Sequence, residues 1–101
     1  MDRKMMQQLQ QMQNKMVKAQ EELGTLEVEG TAGGGAVKIT LNGHREIRGL
    51  VIAPEAVDPD DVETLQDMLV AAFQDATKKA QDMAEKKMGG ITGGMSIPGL
   101  F

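Results

Sequence analysis

The sequence predicts an α+β fold, an α-β-β-β-α chain with a three-stranded antiparallel sheet and two long helices. Three observations predict it: a heptad-spaced apolar seam near the N-terminus, period-2 apolar runs in the middle, and a well-capped apolar-faced run after Pro54. The chain has 101 residues, which suits one domain with a modest core. The expected division is a single domain over 1–88 and a flexible Gly-rich tail over 89–101.

The first helix is expected over 2–23, about 33 Å long at ~1.5 Å per residue. Its apolar positions are Met5, Leu9, Met12, Met16, Ala19 and Leu23, spaced 4, 3, 4, 3 and 4. This is the a/d seam of about three heptads, narrower than a globular helix face. Gly24 follows as the expected C-terminal stop. The Gln and Met residues around the seam read as a solvated face and a core or dimer contact.

Strand signals come next. Leu26 and Val28 alternate with Glu27 and Glu29, and a glycine-rich loop is expected over 30–35. Val37, Ile39 and Leu41 alternate with Lys38, Thr40 and Asn42, the clearest period-2 run of the chain. Asn42-Gly43 reads as a hairpin turn. Ile47 to Ile52 is the third strand; its apolar parity changes near Gly49, which suggests a bulge there or burial on both faces.

The second helix is expected over 59–87, with Asp58 as N-cap and Pro59 in the first position. Its first half carries Val62, Leu65, Met68, Leu69, Ala72, Phe73 and Ala76, a broad apolar face that the sheet can bury. A seven-residue strand spans only about 23 Å at ~3.3 Å per residue. The helices outrun the sheet, so part of the first-helix seam needs another partner. An oligomer with projecting helices is the expected solution. Met5, Leu9, Met12, Met16, Leu23, Val37, Ile39, Leu41, Leu65, Leu69 and Phe73 are the expected dimer and core seam.

Composition excludes several classes. There is no Cys and only one His, His44, so thiolate chemistry and paired-His metal sites are absent. Residues 33–35 are all glycine, but no GK[ST] and no GxGxxG follows, so the triplet reads as a turn. The acidic cluster of Asp58, Asp60, Asp61, Glu63 and Asp67 lacks EF-hand spacing and reads as helix N-terminal chemistry. No nucleophile, base or metal set points to a reaction. No enzyme activity, metal or cofactor is expected, nor a membrane span or a small-molecule substrate. A soluble, cytoplasmic protein is the expectation.

The net charge is −4, but it is unevenly placed. Residues 1–20 hold four basic groups against one acidic, and 78–101 hold four against two. Residues 21–77 hold three basic and twelve acidic groups. Arg3, Lys4, Lys15, Lys18, Lys78, Lys79, Lys86 and Lys87 therefore form the candidate set for binding double-stranded DNA. Phosphate contacts from such residues give sequence-tolerant, salt-sensitive binding. The alternative is a protein-interaction module that captures a partner helix on the Met-rich first helix.

The pattern Gly30-x-x-Gly33-x-Gly35-x-Val37-x-Ile39-x-x-x-Gly43 precedes an acidic-capped helix with Leu65 and Ala71-Ala72-Phe73-x-Asp75-Ala76. Met88 and Thr92-Gly93-Gly94-Met95-x-Ile97-Pro98-Gly99 complete it. Over nearly the whole chain this resembles the YbaB/EbfC family. The resemblance implies a bacterial nucleoid-associated protein whose subunits form a homodimer, helices projecting from a joined sheet like tweezers. It implies duplex DNA binding through the helices, without strong sequence preference, and influence on DNA compaction, bridging and gene regulation.

Overall fold

The structure, a computed structural model, describes residues 2–91. Helix α1 (Arg3–Leu23) leads into strands β1 (Glu27–Ala32), β2 (Val37–Asn42) and β3 (Ile47–Ile52), and helix α2 (Val62–Ile91) closes the described chain. Short 3-10 turns at Gly33–Gly35 and Pro54–Ala56 join β1 to β2 and follow β3. The sheet is antiparallel in the order β1-β2-β3.

Asp2 caps α1: its Oδ1 accepts from the backbone N–H of Lys4 at 2.7 Å and of Met5 at 3.1 Å. Gly24 ends the helix, but in a right-handed conformation, φ −65°. A Cβ there would sit 3.3 Å from both the Glu21 carbonyl oxygen and the His44 ring, a tight fit that glycine eases.

Several expectations are corrected. Gly30 is not loop but the buried centre of β1. A Cβ there would lie 2.2 Å from the Ala72 carbonyl oxygen, so the glycine lets α2 press its backbone against the strand. The hairpin is not a two-residue Asn-Gly turn: the Asn42 N–H bonds the Glu46 carbonyl at 3.0 Å, and the positive φ falls on Arg45, at 63°. Gly43 is there because a Cβ would come 2.6 Å from the Leu23 carbonyl oxygen. The bulge expected near Gly49 is present: Thr40 pairs with Gly49 and Leu41 with Ile47, leaving Arg48 extra. α2 begins at Val62, because Asp58 and Pro59 belong to a turn in which Asp61 N–H bonds the Asp58 carbonyl. Asp61 takes the cap, accepting from Thr64 N–H at 3.3 Å and Thr64 Oγ1 at 2.7 Å.

α2 also runs past its expected end at residue 87, through Gly89 and Gly90. Residues 92–101, with the Thr92–Gly99 motif and Phe101, lie outside the described residues.

The core is where α2 crosses β1 and β2. Val37, Ile39 and Leu41 meet Ala72 and Ala76, with Leu65, Leu69 and Phe73 partly buried around them. Ala80 continues this small-residue stripe and is likewise buried. The radius of gyration is 18.7 Å, against about 13 Å for a compact chain of this length. The excess comes from the helices, which extend beyond the sheet.

Candidate nucleic-acid interface

The two helices run antiparallel where they meet. Lys87 Nζ reaches Glu22 at 2.5 Å, and Gln20 Nε2 lies 3.9 Å from the Met88 sulfur. Ala19 and Leu23 are buried in this contact and Met16 is half-buried. Further out the same seam is bare: Met12 is 43% exposed, Leu9 52% and Met5 53%. One heptad stripe is thus covered at its C-terminal end and open at its N-terminal end.

The basic residues of α1 are centred away from that seam, with Lys15 nearest to it. At 3.6 residues per turn, Arg3, Lys4, Lys15 and Lys18 fall within an arc of about 120°, and the seam is centred some 130° away. All four are exposed. On α2, Lys78 and Lys86 are exposed, and neither makes an ion pair within the described residues. A shallow hollow lined by Lys15, Lys18, Ala19, Glu22 and Lys87 brings cations of both helices together.

Two of the eight basic residues are engaged by the fold. Lys79 Nζ donates to the Glu29 carbonyl at 2.9 Å and to Asp75 Oδ2 at 3.1 Å. Lys87 pairs with Glu22, whose carboxyl is held below its ordinary range by the hydrogen bond and charge of Lys87, with Lys18 adding to the effect. Asp75 is lowered first by the Thr31 backbone N–H and then by Lys79. Both pairs are solvent-exposed, so they orient the elements more than they stabilise them.

The sheet has two unlike edges. On β1, Thr31 N–H donates to Asp75 Oδ2 at 3.0 Å while Lys79 occupies the Glu29 carbonyl, so α2 side chains cover the outward backbone groups. On β3, no side chain among the described residues bonds the outward backbone. Its apolar side chains are also uncovered, with Ile47 58%, Leu50 49% and Val51 63% exposed. Ile47 and Leu50 pair with Leu41 and Ile39, so they lie on the helix side of the sheet, beyond the reach of α2.

Among the described residues no group of His, Asp or Glu could hold a metal ion, and no helix is long and apolar enough to cross a membrane.

Residues 1–95 match the model of the YbaB/EbfC DNA-binding family. A nucleoid-associated protein of Pelotomaculum thermopropionicum is 59% identical over 98 residues, covering 97% of this chain and 93% of that protein. One from Chloroflexus aurantiacus is 57% identical, covering 98% of this chain and 97% of its own length. The crystal structure of an uncharacterized Helicobacter pylori protein superposes with a TM-score of 0.77 at 22% identity, covering 91% of this chain and 98% of that one. It shares the fold.

Proposed function

The chain belongs to the YbaB/EbfC DNA-binding family, not an enzyme family, and from that premise we propose how its geometry serves DNA. The protein acts on the nucleoid as a homodimer that binds duplex DNA with low sequence specificity. Two copies meet along β3, whose outward backbone and apolar side chains Ile47 and Leu50 are complementary to a second copy of themselves. A two-fold pairing of one edge with itself is the usual form of such an interface. Fully burying an exposed aliphatic side chain contributes roughly 1.5–3 kcal/mol, and these are already about half-buried, so each of the four across the interface adds roughly 1 kcal/mol beside the backbone pairing.

The helices then project from the joined sheet and carry the cations outward. Arg3, Lys4, Lys15 and Lys18 supply one stripe, Lys78 and Lys86 a second. Lys79 turns toward β1 and Lys87 toward α1, and they are partly neutralised by Asp75 and Glu22. The observation that carries this reading is the angular separation of the α1 cations from its apolar seam. Lysine and arginine without base-edge partners contact phosphates, which fixes position without reading sequence. A dimer presents the surface twice, which suits compaction or bridging of duplexes.

The test compares double alanine variants. Lys78→Ala with Lys86→Ala weakens duplex binding and flattens its salt dependence, whereas the Lys79 and Lys87 pair of substitutions costs less binding and more thermal stability. Equal affinity of both variants and the parent, with dimers intact, would remove the α2 surface from the account.

A further inference from the structure

A cavity of about 190 Å³ lies where the β2–β3 turn meets the two helices. Its polar lining is Gln20, Gln81, His44 and Arg45, over an apolar floor that includes Leu23 and Met88. The size is below the ~300–1,000 Å³ of pockets for drug-sized ligands, so a small group is the fitting occupant. No carboxylate lines it, although the surrounding segment of the chain is strongly acidic.

Arg45 is the one non-glycine residue with positive φ among the described residues, at 63°. The turn that holds it there is fixed on all sides. Asn42 is fully buried; its Oδ1 accepts from His44 N–H and Glu46 N–H, each at 2.9 Å. Its Nδ2 donates to the Gly24 carbonyl at 3.2 Å and to Glu46 Oε1 at 2.8 Å. Glu46, the nearest acid in sequence, is occupied by Asn42 and by Arg48 at 3.8 Å. The Arg45 guanidinium has no ion pair among the described residues. The bonds around Asn42 hold Arg45 in the left-handed region, and its guanidinium is left without a partner charge among those residues.

The C-terminal carbonyls of α1 oppose an anion here, and their hydrogen bonds lessen that opposition without cancelling it, so the charge of Arg45 has to outweigh it. Glu21, Glu22 and Leu23 oxygens accept from Gly24, from Thr25 and Leu26, and from Gly43. The Gln20 carboxamide is held only by the weak sulfur acceptor of Met88, so it is easily redirected.

We propose that this cavity binds a phosphate group, with Arg45 as its cationic anchor and His44, Gln20 and Gln81 as neighbouring hydrogen-bonding groups. The phosphate comes from the DNA backbone or from a free mononucleotide. The duplex source rests on the DNA-binding reading above; the nucleotide source does not.

Arg45→Gly is the informative variant, because glycine adopts positive φ without strain and the turn keeps its fold. The full-length chain and this variant are titrated with inorganic phosphate, adenosine monophosphate and a duplex, following backbone amide shifts of 43–45 and the salt dependence of duplex affinity. A mononucleotide site shows as saturable shifts with phosphate and nucleotide that weaken at least tenfold in the variant. A backbone-phosphate site shows as a duplex log–log salt slope smaller by about one per bound site. A folded variant that binds all three probes like the parent overturns the proposal, as does a parent that responds to neither phosphate nor nucleotide while its duplex slope is unmoved by the substitution. If the parent binds no duplex at all, the DNA reading fails while the phosphate and nucleotide titrations still decide the cavity.

Discussion

The two edges of the sheet solve the same problem in opposite ways. An edge strand exposes unpaired N–H and C=O groups that template association with another chain. At β1 the problem is removed within the chain, by Asp75 on Thr31 N–H and Lys79 on the Glu29 carbonyl. At β3 it is left in place, with half-exposed Leu50 and more exposed Ile47 alongside. α2 explains the asymmetry: it lies over β1 and β2, so its polar flank reaches the β1 backbone and its apolar flank stops short of β3. One edge is finished and the other waits for a second copy.

Several changes would break or sharpen that contrast. The largest effect is expected from Leu50→Asp, which places a charge in each copy's half of a two-fold interface. Leu50 is already half-buried, so the apolar loss is roughly 1 kcal/mol per copy, which amounts to a dimer weakened at least tenfold, read by analytical ultracentrifugation. A parent that is monomeric throughout would contradict the open-edge reading directly. Next is Gly30→Ala. Its Cβ would meet the Ala72 carbonyl oxygen at 2.2 Å and lift α2 from β1. Overpacking of this kind costs roughly 1–3 kcal/mol, and thermal unfolding should show it as a clear drop in Tm.

A smaller effect is expected at the closed edge itself. Asp75→Asn weakens the acceptor for Thr31 and Lys79 without changing the side chain's shape. Tm should fall only slightly, while hydrogen exchange at Thr31 accelerates. Unchanged exchange there would mean that the carboxylate does not guard the edge. The smallest effect concerns pH. Glu22 and Asp75 both titrate below their ordinary range in the folded chain. Their contribution to stability is therefore complete above the ordinary carboxylate values and is lost as pH falls through the depressed folded ones. Stability should be flat near neutrality and decline below about pH 4, with Glu22→Gln flattening the decline.

Much of this was legible from local pattern. The spans of α1, β2 and β3 follow from the heptad seam and period-2 alternation, and that part of the seam stays uncovered follows from helices that outrun the sheet, whereas which end is covered depends on the contact with α2. What escaped depends on contacts between distant residues. Gly30 looks like loop glycine until Ala72 and Ala76 are placed against it, and the Ala72, Ala76, Ala80 stripe reads as filler beside Leu and Phe. Lys79 and Asp75 have ion-pair spacing, but their targets on β1 lie more than forty residues away. Lys87 finds Glu22 only when the helices close on each other, so it looks as free as Lys86 in sequence. The Asn42-Gly43 dipeptide misled for a related reason. Its glycine answers a close approach to Leu23, and the turn's positive φ passes to Arg45.

A β3-joined dimer would hold phosphates with the free cations of its projecting helices. Duplex affinity measured across a salt series, with the mass in solution followed in parallel, tests it most directly. The expected result is a dimer whose log affinity falls linearly with log salt, with a slope near −0.9 for each phosphate neutralised. The slope should be shallower after Lys78→Ala with Lys86→Ala. Binding indifferent to salt, or no binding by an intact dimer at low salt, would contradict it and return the bare Met5–Met12 stripe to the fore as a surface for a protein partner.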